Sequence, residues 1–424
     1  MQTRICRRVY EESWVMLIGC KLPSNNDISP NADNLVTPFI IELSGHYLSV
    51  SIHLSLSLFS MAATASLVPS LATHSPTKMR YVKSLAEYPG LTSIPSTYTY
   101  TTTATDHATS DPEECSIPII DFSLLVSGTP HQRSKIIHDL GKACQEWGFF
   151  MVINHGLQES MMKAMMEVCK SFFDLTEEEK QEFEGKHVWD PIRCGTSFNT
   201  SVEQVFFWRD FLRVRVHPEF HSPNKPAEFS KISLEYCKKI REVVSELLEG
   251  ISESLGLEAC YINKAMSLET GIQTLIANLY PPCPQPDHAM GMPPHSDHGL
   301  LTVLSQNGID GLQIQHKGKW IKVNAIPNSF LVNTGDHLEI LSNGKYKSVL
   351  HRAVVNDNAT RISLGIVHGP SLETIVSPAP ELLNIENHPP AYLGMKYREY
   401  LLLQLSSHLD GKSGLDRVRV VNTE

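Results

Sequence analysis

The sequence predicts a mixed α+β protein, with helices in the N-terminal half and short strands in the C-terminal half. Apolar residues recur at helical spacing over 131–147 and 226–256, as on the buried stripe of an amphipathic helix. From Gly271 onward, short apolar runs alternate with turns rich in glycine, proline and asparagine, which is typical of a β-sandwich or barrel. The chain has 424 residues and can bury a large core.

In the N-terminal half, order is expected to begin at a short apolar strand over Ile117–Phe122. The pattern then predicts a helix over 131–147, a buried strand over 149–153, a helix over about 158–174, a helix opened by the capping box Thr176 to Glu179, and a long helix over 226–256.

In the C-terminal half, the predicted strands are 272–280, 300–305, 311–316, 319–323, 328–333, 348–356 and 361–368. A last helix is expected over 390–410, and residues 411–424 are interpreted as a charged tail. No internal repeat is visible, so the pattern does not favour a solenoid or a propeller.

The first 115 residues do not resemble a folded domain. Residues 1–60 match no targeting pattern, since acids are scattered among their basic and apolar residues. We interpret them as a disordered upstream extension, with Met61 as the working start. Residues 61–115 are rich in serine, threonine, alanine and proline and are expected to form a flexible arm.

The predicted pattern of helices and strands divides the remaining chain into four regions. These are an N-terminal region over 116–225, long supporting helices over 226–265, a strand-rich core over 266–370, and a C-terminal helix and tail over 371–424.

Composition excludes several classes of partner. The net charge is −10 and the basic residues form no dense cluster, so neither a nucleic acid nor an anionic membrane is expected as a partner. No apolar run is long enough to cross a bilayer. The nine cysteines are scattered singly, which fits reduced thiols in a cytoplasmic protein better than a disulfide framework.

Three residues have the pattern of a metal site. His295 and Asp297 lie two apart, so on a strand both side chains point to one face, and His351 follows much later on another predicted strand. Two histidines and one carboxylate form the facial triad that binds non-haem Fe(II) and leaves positions open for O2 and a co-substrate. No catalytic residue is assigned beyond this metal centre.

A second pattern indicates the co-substrate. Arg361 and Ser363 also lie two apart on a predicted strand, and together they can bind a carboxylate. Tyr280 and Asn278, on another strand, can donate to the same ligand. A dicarboxylate such as 2-oxoglutarate would chelate the iron through its keto acid and meet Arg361 with its distal carboxylate.

Other polar and aromatic residues have a structural interpretation. We interpret His298, His337 and His388 as surface residues or neighbours of the ligands, and Trp208-Arg209-Asp210 as an ion-paired turn. Most of Phe198, Phe206, Phe207 and Phe211 are assigned to core packing, although they can also line an apolar pocket.

Taken together, the motifs resemble the plant 2-oxoglutarate/Fe(II)-dependent dioxygenases, in particular the branch of flavonoid, hormone and other specialised metabolism. The resemblance covers about 116–410. It rests on Asn278-Leu279-Tyr280-Pro281-Pro282-Cys283, Pro294-His295-Ser296-Asp297, Gly311-Leu312-Gln313, Asn333-Thr334-Gly335-Asp336, Ser348-x-x-His351-Arg352 and Arg361-x-Ser363, with Trp147-Gly148-Phe149-Phe150 and Asn154-His155-Gly156 upstream.

This resemblance implies a double-stranded β-helix (jelly-roll) core with an N-terminal helical region and a C-terminal helix. It also implies iron bound by His295, Asp297 and His351, and 2-oxoglutarate bound by Arg361 and Ser363 with help from Tyr280. Ascorbate as reductant, a monomeric state and a small-molecule substrate follow from it as well. One departure is the run Leu364–Pro370, where relatives commonly carry aromatic residues that line the pocket.

The implied activity is hydroxylation or desaturation of a small, largely apolar plant metabolite, with release of succinate and CO2. Two alternatives stay open at this point. One is an oxidase of the same fold that does not use 2-oxoglutarate, such as the ethylene-forming type. The other is a non-catalytic metabolite-binding protein, against which the complete triad argues.

Overall fold

The computed structural model describes residues 39–43, 46–50, 79–101, 116–198, 200–384, 386–406 and 411–420. The chain divides into two compact units, residues 1–71 and 72–424. In the first unit, strands β1 (Phe39–Leu43) and β2 (His46–Val50) pair antiparallel. This pair differs from the disorder expected over 1–60, and the rest of that segment lies outside the described residues.

The second unit is built on two sheets and a short ribbon. Its strands are β3 (Ile119–Asp121), β4 (Phe149–Ile153), β5 (Ile192–Thr196), β6 (Asp210–His217), β7 (Ile272–Tyr280), β8 (Met292–His295), β9 (Leu301–Gln306), β10 (Leu312–His316), β11 (Lys319–Lys322), β12 (Phe330–Thr334), β13 (His351–Ala353), β14 (Arg361–Gly369), β15 (Ile375–Val376) and β16 (Met395–Lys396). All strands predicted after Gly271 are present, whereas β5, β6, β8, β15 and β16 were not predicted.

The larger sheet has eight strands in the order β3-β4-β12-β9-β14-β7-β6-β5, and the smaller has four in the order β11-β10-β13-β8. Side chains from both sheets line one cavity, so the sheets face each other across it. All pairings in these sheets are antiparallel except that of β3 with β4. The predicted jelly-roll core is confirmed.

The second unit also contains ten α-helices in its described residues. They are α1 (Val82–Ala86), α2 (Phe122–Ser127), α3 (Pro130–Glu146), α4 (Glu159–Phe173), α5 (Glu177–Lys180), α6 (Phe229–Ser254), α7 (Tyr261–Ala265), α8 (Asp336–Leu341), α9 (Tyr397–Ser406) and α10 (Ser413–Val418). The capping box of Thr176 and Glu179 at the start of α5 is confirmed. Apolar stripes of α3, α4 and α6 pack into one core with the sheet.

Alternation along the strands separates this core from the cavity. On β14, Ile362, Leu364 and Ile366 belong to the core under the helices, whereas Arg361, Ser363, Gly365 and Val367 line the cavity. Strand β7 alternates in the same way. Because successive side chains of a strand point to opposite faces, each strand serves both the core and the site.

Part of the predicted flexible arm is folded. Within 61–115, residues 79–101 are described, and Tyr81, Val82 and Leu85 are buried. The carboxylate of Asp210 accepts hydrogen bonds from the backbone N–H groups of Val82 (2.8 Å) and Lys83 (2.9 Å). The expectation of a flexible arm was wrong for 79–101, because long-range contacts stabilise a segment that has little helical pattern of its own.

Replacing Asp210 with alanine is expected to lower the free energy of unfolding by about 2–4 kcal/mol, because two backbone donors at the start of α1 lose their acceptor. Urea unfolding measures this change, and hydrogen exchange over 79–86 should accelerate with it. The control is Glu87→Ala, which removes a carboxylate from an exposed ion pair with Lys83 and should change stability by less than about 1 kcal/mol. Equal stability of the two variants would contradict the anchoring role.

The C-terminal segment also differs from its prediction. Helix α9 is shorter than the helix expected over 390–410, and the expected charged tail contains α10, whose Leu415 and Val418 are buried. Lys412 and Arg419 lie 3.2 and 3.0 Å from the buried carboxylate of Glu339. Ion pairing to the core therefore orders a segment whose charges alone indicated a tail. The boundaries predicted between regions at 225, 265 and 370 stay predictions.

Candidate active site

His295, Asp297 and His351 come together at one end of the smaller sheet. His295 ends β8, His351 begins β13, and the two residues are direct partners across these strands. Asp297 Oδ1 lies 3.6 Å from His351 Nε2 and 3.9 Å from His295 Nε2. One donor atom of each residue lies within 4.8 Å of the other two. Three such donors on one side can bind a single ion and leave its other side open.

Backbone carbonyls orient both imidazoles. Nδ1 of His295 lies 2.8 Å from the carbonyl oxygen of Pro293, and Nδ1 of His351 lies 3.2 Å from that of Val349. A carbonyl oxygen only accepts, so each Nδ1 carries the proton and donates. Each Nε2 then keeps its lone pair on the side of Asp297, as a metal ligand requires.

The carboxylate of Asp297 is oriented in a similar way. Its Oδ2 accepts hydrogen bonds from the Thr302 hydroxyl (2.6 Å) and the Asn333 amide (2.8 Å), which leaves Oδ1 for a metal. Burial raises the pKa of Asp297, but the imidazoles of His351 and His295 and these hydrogen bonds outweigh it and lower the pKa to about 2. Burial lowers the pKa of His295 to about 3. An ionised carboxylate and a neutral imidazole are the forms that bind metal.

The hydroxyl of Thr302 is a testable part of this arrangement. Thr302→Val keeps the side-chain shape on β9 but removes the donor to Asp297, and we expect Fe(II) affinity to fall roughly 10- to 100-fold. Anaerobic Fe(II) titration measures this change. Thr274→Val is a matched control, because Thr274 lies in the same cross-strand row two strands away. Equal Fe(II) affinity in the two variants would show that the hydroxyl does not support the metal site.

Arg361 is buried beside this cluster, and two of its N–H donor atoms have no acceptor in the described residues. Only 2% of its surface is exposed, and Nη2 donates to Gln306 Oε1 at 2.9 Å. Its Nε and Nη1 are buried and make no hydrogen bond within the described residues. Its guanidinium carbon lies 5.1 Å from the centre of the Tyr280 ring. A buried cation with unused donors is costly unless an anion binds to it.

Asn278 and Ser363 lie next to Arg361, but part of their hydrogen-bonding capacity is taken up by other protein groups. Register pairs Arg361 with Tyr280 and Ser363 with Asn278. The Asn278 amide donates to Ser363 Oγ at 3.5 Å, and its oxygen accepts from Arg209 Nη1 at 3.0 Å. The structure therefore brings all four predicted co-substrate residues together, with Asn278 bridging Ser363 and Arg209.

Arg209 is a cavity residue that the sequence analysis missed. It was assigned to an ion-paired turn, but its Nη1 points to Asn278, whereas the Asp210 carboxylate points to the opposite face and binds α1. The sequence contained a signal for this difference, since Phe211, Arg213 and Arg215 alternate with Leu212, Val214 and Val216, and Arg209 lies in the same register. Period-two alternation indicates a strand with one face turned to the cavity.

One cavity of about 560 Å³ joins the metal cluster and Arg361, a size typical of small-molecule sites. Phe198 and Phe211 line it, whereas Phe207 is buried elsewhere. Gly365 and Val367 stand on its wall, within the run that departs from the aromatic pattern of relatives. These two positions therefore carry a glycine and a small aliphatic side chain in place of bulky aromatic rings.

The other histidines are not part of the metal cluster found in the described residues. His337 is buried and His298 half-buried beside Tyr397, and His298 Nδ1 lies 2.9 Å from the Tyr397 hydroxyl. His388 is exposed. The interpretation of these three residues as neighbours of the site or surface residues agrees with their positions.

Comparison with known proteins agrees with this geometry. The family model of the 2OG-Fe(II) oxygenase superfamily matches residues 271–370, and that of the non-haem dioxygenase N-terminal region, described from morphine synthesis, matches 117–234. The chain is 46% identical over 307 residues to 2-oxoglutarate-dependent dioxygenase 19 of Oryza sativa subsp. japonica, which covers 72% of this chain and 91% of that protein. The chain belongs to the 2OG-Fe(II) oxygenase superfamily.

Two further members illustrate the likeness. The oxygenase is 41% identical over 306 residues to Protein DMR6-LIKE OXYGENASE 2 of Arabidopsis thaliana, covering 71% of this chain and 86% of that one. The crystal structure of JOX2 in complex with 2OG, Fe and JA superposes with a TM-score of 0.73 at 30% identity, covering 82% of this chain and 99% of that one. The predicted family, fold and 2-oxoglutarate-dependent dioxygenase activity are confirmed.

The described part of this oxygenase contains no helix with the length and hydropathy of a membrane span. Its described cysteines are all free, and burial raises the pKa of the thiols of Cys144, Cys169 and Cys237. These thiols therefore stay protonated and unreactive at neutral pH.

Proposed function

We propose that His295, Asp297 and His351 hold Fe(II) in this dioxygenase, and that Arg361 and Ser363 bind the distal carboxylate of 2-oxoglutarate. The observation that carries the proposal is the buried Arg361, which lines the same cavity as the three ligands and has two N–H donor atoms without a hydrogen-bond partner in the described residues. Tyr280 completes the binding site by packing its ring against the guanidinium. Asn278 supports it by positioning the Ser363 hydroxyl.

When bound, ferrous iron supplies the activation of O2 that is coupled to decarboxylation of 2-oxoglutarate to succinate and CO2. The chain's own residues supply orientation. The carbonyls of Pro293 and Val349 keep both Nε2 atoms available, and Thr302 and Asn333 keep Oδ1 of Asp297 turned to the metal side. Preorganised ligands of this kind need no rearrangement when the co-substrate arrives.

The proposed substrate is a small plant metabolite with a largely apolar body, which the enzyme hydroxylates or desaturates. The support is the cavity, in which Phe198, Phe211, Ile276, Val367 and Leu401 provide apolar surface beside the metal cluster. Residues of α9 close one side of this cavity, so a bound substrate would be shielded from water.

We also propose a cytoplasmic monomer of specialised metabolism that uses ascorbate to keep its iron reduced. The described cysteines are free, as in a reducing compartment. The chain is also similar to Flavanone 3-dioxygenase 2 of Oryza sativa subsp. japonica and to Thebaine 6-O-demethylase of Papaver somniferum, whose names indicate plant metabolites.

Anaerobic titration of the Fe(II)-loaded protein with 2-oxoglutarate tests the proposal. Chelation of iron by the keto acid is expected to give a saturable visible charge-transfer band. Loss of the band in His295→Ala would support the ligand assignment. Bound iron without any band would contradict the proposal and favour the oxidase that does not use 2-oxoglutarate or the metabolite-binding protein.

A further inference from the structure

Three arginines stand on the cavity wall away from the co-substrate residues. Alternation on β6 turns Phe211, Arg213 and Arg215 towards the cavity, and Arg193 on β5 is the direct cross-strand partner of Arg213. We call Arg193, Arg213 and Arg215 the arginine cluster. It is separate from Arg361, which the proposed function assigns to 2-oxoglutarate.

The sheet register relates this cluster to the metal site. One cross-strand row runs from Thr302 through Val367 and Thr274 to Arg215. Thr302 is the residue that donates to Asp297. Neighbouring strands are about 4.8 Å apart, so the backbones of Thr302 and Arg215 are separated by roughly 14 Å along the sheet. A single small molecule can therefore reach from the arginine cluster to the metal side of the cavity.

None of the three arginines forms an ion pair with an acid of the described residues. Arg213 and Arg215 donate to the carbonyl oxygens of Val188 (2.5 Å) and Trp189 (3.0 Å), which are neutral. Arg193 Nε is buried and makes no hydrogen bond within the described residues. Among these residues, no ion pair joins an acid to the cluster, although like charges so close together repel one another.

The acids that interact electrostatically with the cluster are Asp190 and Glu219. The Asp190 carboxylate accepts hydrogen bonds from the backbone N–H groups of Lys186 and His187, at 2.5 and 2.8 Å. Glu219 is exposed and lies 3.5 Å from His221. Burial, together with repulsion from Arg193 and Arg215, lowers the pKa of Arg213 to about 10. The cluster still carries its charge at neutral pH, and among the described residues these two acids interact with it only at longer range than an ion pair.

We propose that the substrate of this dioxygenase carries a carboxylate, which binds to the arginine cluster while the apolar body of the molecule extends along Phe211 and Ile276 towards the metal site. This inference rests on the proposed function and narrows its substrate class from an apolar metabolite to an apolar acid. Guanidinium groups bind carboxylates through paired hydrogen bonds, so an acid would satisfy Arg193 and offset the repulsion.

The test compares acids with their primary amides, which have the same shape without the charge. Protein saturated with Fe(II) and 2-oxoglutarate is titrated anaerobically, by calorimetry, with 3-phenylpropionate, 4-phenylbutyrate and 2-naphthoate and with the three corresponding amides. At least one acid is expected to bind tenfold or more tightly than its amide, a difference of about 1.4 kcal/mol. The inference is overturned if no acid binds more tightly than its amide.

Variants show whether the cluster causes this preference. Arg193→Gln should reduce the acid preference roughly tenfold or more and leave amide and 2-oxoglutarate affinities unchanged. Its melting temperature should not fall, because the substitution breaks no hydrogen bond of Nε and relieves repulsion from Arg213. Arg213→Gln is a second variant with the same expectation for binding. Lys238→Gln, on the exposed side of α6, removes one charge elsewhere and is the control.

Three outcomes distinguish a purely structural role of the cluster, a failure of this inference alone and a failure of the proposed function. A lower melting temperature of Arg193→Gln with an unchanged acid preference would mean that the cluster is only structural, and would overturn the inference. Normal 2-oxoglutarate binding with equal acid and amide affinities overturns this inference alone. Absence of 2-oxoglutarate binding in the unaltered protein contradicts the proposed function itself.

Discussion

Asp297→Ala is expected to weaken Fe(II) binding by more than ~100-fold and to reduce turnover to about 1% or less. The loss of a hydrogen bond to a metal ligand already costs up to ~100-fold, and this substitution removes both the ligand and its charge. Two imidazoles, His295 and His351, remain, but they lack the negative charge that neutralises the ion. Anaerobic Fe(II) titration and 2-oxoglutarate consumption measure the two effects.

The control for this variant is Asp287→Ala, which removes an exposed carboxylate from the same half of the chain. Circular dichroism of both variants should match that of the unaltered protein, because Asp297 stands in the cavity and not in the core under the helices. If Asp297→Ala bound Fe(II) as tightly as the control, the assignment of the ligand would be wrong.

Arg361→Leu should weaken 2-oxoglutarate binding by about 2–4 kcal/mol, roughly 30- to 1,000-fold. The substitution removes the buried donors Nε and Nη1, whereas the three proposed metal ligands stay intact. Fe(II) affinity should therefore be unchanged. The charge-transfer band, followed anaerobically, gives the dissociation constant of 2-oxoglutarate. Arg133→Leu is the matched control, because the Arg133 guanidinium pairs with Glu253 on the helical side of the protein.

A second co-substrate shows which carboxylate Arg361 binds. 2-Oxopentanoate has the same keto acid and chain length as 2-oxoglutarate but lacks the distal carboxylate. The unaltered protein should bind 2-oxoglutarate more tightly than 2-oxopentanoate, by the same factor by which Arg361→Leu weakens 2-oxoglutarate binding. The variant should bind the two compounds with equal affinity. A preference that survives in Arg361→Leu would place the distal carboxylate on another cation of the cavity, and Arg209 would be the first to test.

The two halves of the site are supported by different sheets. Strands β8 and β13 of the smaller sheet position His295 and His351, whereas β7 and β14 of the larger sheet position Tyr280 and Arg361. Asp297 links them through its hydrogen bonds to Thr302 on β9 and Asn333 on β12. The distance between the proposed metal ligands and the proposed co-substrate residues therefore depends on how the two sheets pack against each other.

The sequence alone predicted much of this architecture because its strongest signals are local. Strands 272–280 and 361–368 were predicted within one residue, since alternating side chains reflect one apolar face and one cavity face. The spacing of His295 and Asp297, and of Arg361 and Ser363, identified the candidate site for the same reason. Residues two apart on a strand share a face whatever the rest of the fold does.

Sequence analysis did not identify elements that depend on distant partners. Strand β6 was missed because its arginines interrupt the apolar pattern, although β7 pairs with it along its length. Residues 79–101 were expected to be flexible, because nothing in their composition indicates the buried carboxylate of Asp210 that binds α1. Residues 411–424 were interpreted as a charged tail, because the sequence does not show that Lys412 and Arg419 pair with the buried carboxylate of Glu339.

The sequence by itself thus determined the fold class and indicated the proposed metal ligands and Arg361, because strand periodicity and ligand chemistry are properties of short segments. Only the tertiary structure decided that Asn278 bridges Ser363 and Arg209, and that Arg193, Arg213 and Arg215 share one cavity wall. The reason is physical: hydrogen bonding, charge compensation and burial depend on which strands become neighbours. That pairing is set by the packing of the whole sheet.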